Sequence, residues 1–148
     1  MSAKVMKAVV VFSVLIATIC VGESDSPHDI LGTYKLVSVN DNPLPAVSWV
    51  GPGEGCTQEN LSGTMLIASD NRWAALLEGR DKCDKTSEEG SAILTGTYKV
   101  SGNMIEFQGG ELDVTDHASL DGDVLRYTVN GILDFEGQTT EFVFRKDK

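Results

Sequence analysis

The segment Gly96–Phe107 reads GTYKVSGNMIEF and predicts a β-hairpin. Two short runs rich in β-branched and aromatic residues flank Ser101–Asn103, where glycine and asparagine accept the positive φ of a tight turn. Apolar and polar residues alternate on both sides of this turn, as they do in a strand with one buried face. Similar runs follow, each ending in its own turn, so we expect the chain to form a β-meander.

This pattern predicts eight strands between Leu31 and Arg145. A long antiparallel meander removes its exposed edges by closing on itself, so the expected fold is all-β, an eight-stranded antiparallel up-and-down barrel. A β-sandwich is the alternative, but its crossovers need long connections and the chain offers one obvious candidate. The predicted strands are 31–40, 61–68, 72–78, 92–100, 104–108, 111–120, 124–135 and 139–145.

The N-terminus, residues 1–22, predicts a signal peptide. Lys4 and Lys7 form a positive start, and Ala8–Ile19 is a continuous apolar run that is too short to span a bilayer comfortably. We expect cleavage after Gly22, so the mature protein would have no stable membrane span.

After cleavage we expect a flexible N-terminus at 23–30 and a barrel domain at 31–148. The protein would then be secreted or periplasmic. The alternative is a lipid anchor on Cys20, although Ile19 is a poor residue immediately before a lipidated cysteine.

The formal net charge of −10 excludes some classes of partner. A surface that binds nucleic acid needs clustered Lys and Arg side chains, so we expect no nucleic-acid partner. Anionic membrane surfaces are disfavoured for the same reason. Removing Lys4 and Lys7 with the signal peptide would make the charge −12, which suits a soluble secreted protein.

The cysteine count predicts a disulfide. Cys20 would leave with the signal peptide, so Cys56 and Cys83 remain as an even pair in an oxidising compartment. Their loops follow the first and third predicted strands and therefore emerge at the same rim of the barrel. A zinc site would need two more ligands, and His28 and His117 lie in unrelated parts of the chain, so we expect no metal and no cofactor.

The longest irregular segment is Leu44–Asn60, which is rich in proline and glycine and predicts no regular backbone ladder. Long loops of this kind are often lids or binding loops. Trp49 could cover a pocket as part of a lid, or it could anchor a protein partner that contacts loop 43–60. A second, polar loop is predicted at Gly79–Gly90, and Asn60-Leu61-Ser62 is a glycosylation sequon.

The segment Leu31–Pro45, LGTYKLVSVNDNPLP, resembles the opening of small secreted bacterial lipocalin-like domains, which belong to the calycin group of β-barrels. Gly32–Tyr34 is similar to the G-x-W motif that opens lipocalins, with tyrosine in place of tryptophan. The resemblance implies a lipocalin-like barrel. It also implies that Arg145 packs over the ring of Tyr34, as an arginine near the end of the last strand does in that family.

The side chains predicted to face the barrel interior are almost all apolar, which leaves two interpretations open. They could line a pocket for a small hydrophobic molecule, or they could fill the barrel themselves. The alternation also points Asp116 inward. The residues predicted to bind a ligand are Trp49, Tyr34, Trp73, Tyr98, Phe107, Tyr127 and Phe142.

Motifs for catalysis are missing from the sequence, which contains no nucleophile elbow, phosphate-binding loop or zinc-protease motif. His117 and Asp116 are neighbours, but neighbours in a strand point to opposite faces. We therefore expect no enzyme activity. The predicted function is a secreted lipocalin-like barrel that binds or sequesters a small hydrophobic molecule. The alternative is a secreted or envelope-associated interaction or inhibitor module whose barrel is packed and free of ligand.

Overall fold

A computed structural model describes residues 30–50, 55–109, 114–130 and 139–148. Within these ranges no helix is long and apolar enough to cross a membrane. The predicted signal peptide at 1–22 and the start of the mature chain lie outside the described residues, as do parts of the strands predicted at 111–120 and 124–135. The strands are β1 Gly32–Val39, β2 Asn42–Pro43, β3 Ala46–Val50, β4 Thr57–Ile67, β5 Arg72–Cys83, β6 Thr86–Ser101, β7 Met104–Gly109, β8 Val114–Asp121, β9 Val124–Asn130 and β10 Thr139–Lys146.

Eight of these strands close into an antiparallel barrel, which confirms the predicted fold and is consistent with a calycin-like fold. From β4 to β10 each strand pairs with its neighbours in sequence. Closure comes from β1, which pairs with β10 on one side and with β4 on the other. The short strands β2 and β3 extend the sheet beyond the ring, beside β1 and β4 respectively.

The barrel has two distinct ends. At the floor end lie Gly32 and the tight turns that follow β4, β6 and β8. At the mouth end lie the start of β4 and the turn between β5 and β6. The Cys56–Cys83 disulfide joins these two places, with Cα atoms 4.1 Å apart. The predicted pairing at one rim is therefore confirmed.

The prediction that Leu44–Asn60 has no backbone ladder is wrong. Ala46–Val50 forms β3 and pairs with Thr57–Asn60 at the start of β4, with one irregularity in register. The prolines and glycines that suggested a loop lie at the borders of β3, whereas its centre reads AVSWV and has ordinary strand propensity.

Gly79–Gly90 was also predicted to be a loop, and this too is wrong. The β5–β6 ladder continues without a break to Cys83 and Thr86 around the turn at Asp84 and Lys85. Here the strands carry polar residues on both faces because they project past the core, so the one-sided alternation that reveals a strand is lost.

Ion pairs on the outer face brace this hairpin. Lys82 Nζ lies 2.7 Å from a Glu59 carboxylate oxygen, and Arg80 lies between Glu59 and Glu89, donating from Nε to Glu89 at 3.1 Å. Together with the disulfide, these contacts tie the first residues of β4 to the β5–β6 hairpin.

The core is an aromatic cluster around Phe107. Its ring packs edge-on against Trp73 at 5.0 Å and against Tyr127 at 5.5 Å between centroids. Tyr98 and Phe142 extend the cluster to either side. All five side chains are buried, so their own rings fill the middle of the barrel.

One glycine is required beside this cluster. A Cβ atom on Gly96 would lie 1.9 Å from the carbonyl oxygen of Gln108, so no other residue fits. Because β6 and β7 approach closely here, the Trp73 indole also reaches the Gln108 carbonyl oxygen, and its Nε1 donates to this oxygen at 3.4 Å.

The expected contact between Arg145 and Tyr34 is replaced by another. Lys146 lies over the Tyr34 ring, with Nζ 5.9 Å from the centroid. In the β1–β10 register Tyr34 is opposite Lys146, whereas Arg145 is opposite Lys35 and exposed on the other face. A shift of one residue reverses the face of a strand, which is why the resemblance placed the cation one position too early.

Candidate functional site: a cavity at the mouth

A cavity of about 280 Å³ lies at the mouth end, inside the sheet formed by β3, β4, β5 and β6. Strands β4, β5 and β6 face it with residues that pair across the ladders, so its lining forms rows. We name these the rim row, the middle row and the base row, from the mouth inward. The rim row is Gln58, Asp81 and Glu88; the middle row is Asn60, Gly79 and Gly90; the base row is Leu77 and Ala92.

The base of the cavity is apolar. Leu77 and Ala92 lie opposite each other, and the buried ring of Phe142 on β10 adjoins them. Phe142 in turn packs against Tyr127, with ring centroids 6.2 Å apart. The cavity therefore lies directly on the aromatic core.

Two facing glycines create the space above this base. Gly79 and Gly90 are partners across the β5–β6 ladder, and neither puts a side chain into the cavity. A Cβ atom on Gly90 would have no heavy atom within 4 Å, and a Cβ on Gly79 would meet only the Glu59 carbonyl oxygen, at 3.0 Å. The volume thus depends on two positions where larger residues would otherwise fill the mouth.

Asn60 is the polar group of the middle row. Its side chain is 7% exposed, and its Nδ2 has no hydrogen-bond partner among the described residues. A buried donor left without an acceptor costs about 1–3 kcal/mol. The nitrogen itself has essentially no accessible surface, so it is buried beneath the cavity wall and the cost falls on the folded protein. Because a glycan attaches at this same nitrogen, the burial of Asn60 also keeps the sequon inaccessible in the folded protein.

A β-bulge turns Asn60 inward. The β4–β5 register shifts between Asn60 and Ser62, so that Leu61 is the additional residue. Beyond the bulge the buried positions of β4 are Gly63, Met65 and Ile67. Without it, Asn60 would share the outer face with Ser62.

The rim row carries an unbalanced negative charge. Asp81 and Glu88 are direct partners across the ladder, both are exposed, and neither has an ion-pair or hydrogen-bond partner in the described part of the chain. Arg80 and Lys82 flank Asp81, but strand alternation sends them to the outer face, where they pair with glutamates. Among residues 30–50, 55–109, 114–130 and 139–148, no group of three or more His, Cys, Asp or Glu side chains could hold a metal ion.

Asp116 and Tyr127 form a polar pair next to the core. The Tyr127 hydroxyl donates to Asp116 Oδ2 at 2.7 Å. Burial raises the pKa of Tyr127 far above its ordinary value, and the hydrogen bond to Asp116 adds to the effect, so this tyrosine remains a neutral donor. His117 is exposed on the other face of β8.

Of the residues predicted to bind a ligand, Phe142 lines the cavity. The side chain of Trp49 lies outside the described residues. The other five are buried in the core below the cavity: Tyr34, Trp73, Tyr98, Phe107 and Tyr127. Sequence reasoning missed Asn60, Asp81, Glu88 and Gly90, because the first lies at a bulge and the others fall in the segment interpreted as a loop.

A second depression of about 540 Å³ lies on the outer face of β4, β5 and β6. Leu66 borders it, and Leu76 and Ile93 continue an apolar patch along the same face. These three side chains are 47%, 41% and 70% exposed. This patch is a surface feature and is separated from the cavity by the sheet.

A scan against protein-family models and searches of curated proteins and of solved structures found no match for this chain.

Proposed function

We propose that the protein is a secreted, lipocalin-like carrier that binds a small, partly apolar molecule in the mouth cavity. The observation that carries the proposal is the cavity itself, about 280 Å³ of space that the facing glycines Gly79 and Gly90 leave open above an apolar base. The apolar base formed by Leu77, Ala92 and Phe142 would take the hydrophobic part of the ligand.

The volume of the cavity limits the size of this ligand. Small-molecule sites usually occupy about 300–1,000 Å³. An engineered cavity of about 150 Å³ holds benzene, so 280 Å³ suits a compound with one or two rings. A long acyl chain would not fit within it.

Filling the cavity tests this proposal. Gly90→Val would place a branched side chain in open space without a backbone clash, because nothing lies within 4 Å of a Cβ there. The matched control is Ser87→Val, an exposed position on the same strand that does not line the cavity. The ligand is 2-naphthylmethanol, which is neutral and fluorescent.

We expect Gly90→Val to weaken binding of 2-naphthylmethanol at least tenfold, about 1.4 kcal/mol, whereas Ser87→Val leaves it unchanged. The dissociation constants can be measured by fluorescence titration. Equal affinity in both variants, or no binding to the wild type, would contradict the proposal.

A second function is favoured by the exposed apolar side chains outside the barrel. Val47 and Val50 on β3 are 40% and 57% exposed, and they lie in the segment 43–60 that was predicted to contact a protein partner. In this alternative the barrel is a scaffold for an interaction or inhibitor module. A wild-type protein that binds no small aromatic compound would favour it.

A further inference from the structure

We propose that two copies of this chain associate as a two-fold symmetric dimer through the outer face of β4, β5 and β6. In this dimer β5 of one copy lies antiparallel across β5 of the other. We call the contact surface the outer patch, which consists of Thr64, Leu66, Ala74, Leu76, Ile93 and Thr95. The inference concerns the outside of the barrel and does not depend on the mouth cavity.

The first argument is that the outer patch exposes large apolar side chains next to one another. Leu66, Leu76 and Ile93 are all exposed and lie on one face of three paired strands. Contiguous exposed apolar side chains of this kind mark interaction surfaces. Leu66 and Ala74 also line the depression of about 540 Å³, so the patch offers both protruding side chains and a space to receive them.

The second argument is that the outer patch is complementary to itself in shape. The ladders arrange it in two rows across the strands. The row nearer the floor is Leu66, Ala74 and Thr95, and the row nearer the mouth is Thr64, Leu76 and Ile93.

A two-fold axis that runs along the surface between these rows, at right angles to β5, places each row over the other row of the second copy. Leu76 then enters the space above Ala74 of the second copy. On β4 and β6 a large side chain likewise meets a threonine of the second copy. Each strand therefore sets a large residue against a small one.

The third argument is the order of charges along the outer face of β5. This face presents Arg72, Ala74, Leu76 and Glu78, so a cation and an anion lie at opposite ends of an apolar pair. In the antiparallel arrangement Arg72 of each copy lies toward Glu78 of the other, which gives two pairs of opposite charge. A parallel arrangement would bring like charges together, so the order of charges determines the direction of the contact.

Both charged groups can form these pairs. Arg72 donates from Nε to Asp70 at 2.6 Å, which leaves the N–H donors of its terminal nitrogens for Glu78 of the second copy. Glu78 accepts a hydrogen bond from Ser62 and has no ion pair among the described residues.

The distances also allow these pairs. Arg72 and Glu78 each lie about 10 Å from the axis, at about 3.4 Å per residue. Packed sheets cross at about 30°, so the two positions are offset sideways by about 5 Å, which long side chains can span.

The shape and charge of the protein make this a weak dimer. The outside of a barrel is convex, so the contact is confined to the three strands of the outer patch, and interfaces below about 1,200 Å² are typical of transient association. The formal net charge of −10 also opposes the approach of two copies. We therefore expect a dissociation constant on the order of 0.1 mM.

The test is sedimentation equilibrium of the disulfide-bonded protein, purified after export, at concentrations up to about 1 mM. We expect the wild type to show a reversible equilibrium between monomer and dimer. Arg72→Glu alone and Glu78→Arg alone should each weaken the dimer roughly tenfold or more, because either change creates two pairs of like charge across the axis. An equimolar mixture of the two variants should recover the wild-type affinity, because every pair in the mixed dimer is again of opposite charge.

The apolar contact is tested separately. Leu76→Asp places a carboxylate against Ala74 of the second copy and should abolish the dimer. The matched control is Met104→Asp, which introduces the same charge at an exposed apolar position outside the outer patch and should leave the dimer unchanged. Arg126→Glu, which reverses a charge on β9, should also leave it unchanged. Circular dichroism checks that each variant is folded.

Three results would overturn the inference. The first is a wild type that stays monomeric up to about 1 mM, which would leave the outer patch to a different partner or to solvent. The second is a mixture of the two charge variants that stays monomeric although each variant is folded, since the copies would then not meet in this arrangement. The third is a dimer that survives Leu76→Asp, or that Met104→Asp weakens equally, because its interface would lie elsewhere.

Discussion

Replacing Asn60 with leucine should make the free protein more stable. Leucine has the same number and branching of side-chain heavy atoms as asparagine but no polar atom. Asn60 is 7% exposed, and its Nδ2 has no hydrogen-bond partner among the described residues. Leaving a buried donor unsatisfied costs about 1–3 kcal/mol, and the substitution removes that cost. Asn60→Leu is therefore expected to raise the free energy of unfolding by about 1–3 kcal/mol. In a domain of this size each kcal/mol corresponds to roughly 3–6 °C in Tm.

The assay is guanidinium unfolding of wild type and variant followed by circular dichroism, together with calorimetry. Asn60→Asp is the matched control, because it keeps the shape and buries a carboxylate, which should lower stability. An unchanged or lower free energy of unfolding for Asn60→Leu would show that the amide is already satisfied in the free protein and would refute the reasoning.

Three further predictions concern the disulfide at the mouth, the cation over Tyr34 at the floor and the buried Tyr127 hydroxyl. Replacing both Cys56 and Cys83 with serine should lower the free energy of unfolding by roughly 3–4 kcal/mol, the chain-entropy value for a separation of 27 residues, as measured by chemical denaturation. Lys146→Met should lower the free energy of unfolding by roughly 0.5–1 kcal/mol through the loss of its cation–π contact, whereas Arg145→Met should have no effect. A larger loss in Arg145→Met than in Lys146→Met would instead support the contact between Arg145 and Tyr34 that the resemblance implied. Because burial raises the pKa of Tyr127, its contribution to stability is complete below the unfolded value of about 10 and is lost as the pH rises above it. Stability measured from pH 9 to 11 should therefore fall less steeply in Tyr127→Phe than in the wild type.

The barrel was predictable because alternation repeats in nearly every strand that touches the core. Tyr98, Ile105 and Phe107 are buried where the hairpin pattern placed them. Strand parity likewise placed Cys56 and Cys83 at one rim, since it depends only on counting connections. These inferences use information that each strand carries by itself.

The candidate site was not predictable, because it depends on departures from that pattern. The bulge at Leu61 reverses the face on which Asn60 lies, and the bulge has no distinct mark in the local sequence. Asp81 and Glu88 belong to a ladder with polar residues on both faces, so no alternation of apolar and polar residues predicted a strand there. Lys146 replaces Arg145 over the tyrosine ring through a difference of one residue in register, which a family resemblance does not fix.

Closure of the barrel through β1 has a consequence for how the chain folds. Each of the strands from β4 to β10 can pair with its neighbour as soon as both exist, but β1 needs β10, and Glu141 donates its backbone N–H to the side chain of Asn40 across 101 residues of sequence. Contacts between such distant segments slow folding, because the entropy of loop closure must be lost before they form. The pairing of β1 with β10 therefore forms last, after residues 139–146 have been synthesised. We expect folding over milliseconds to seconds, with the meander assembled before the ring is complete.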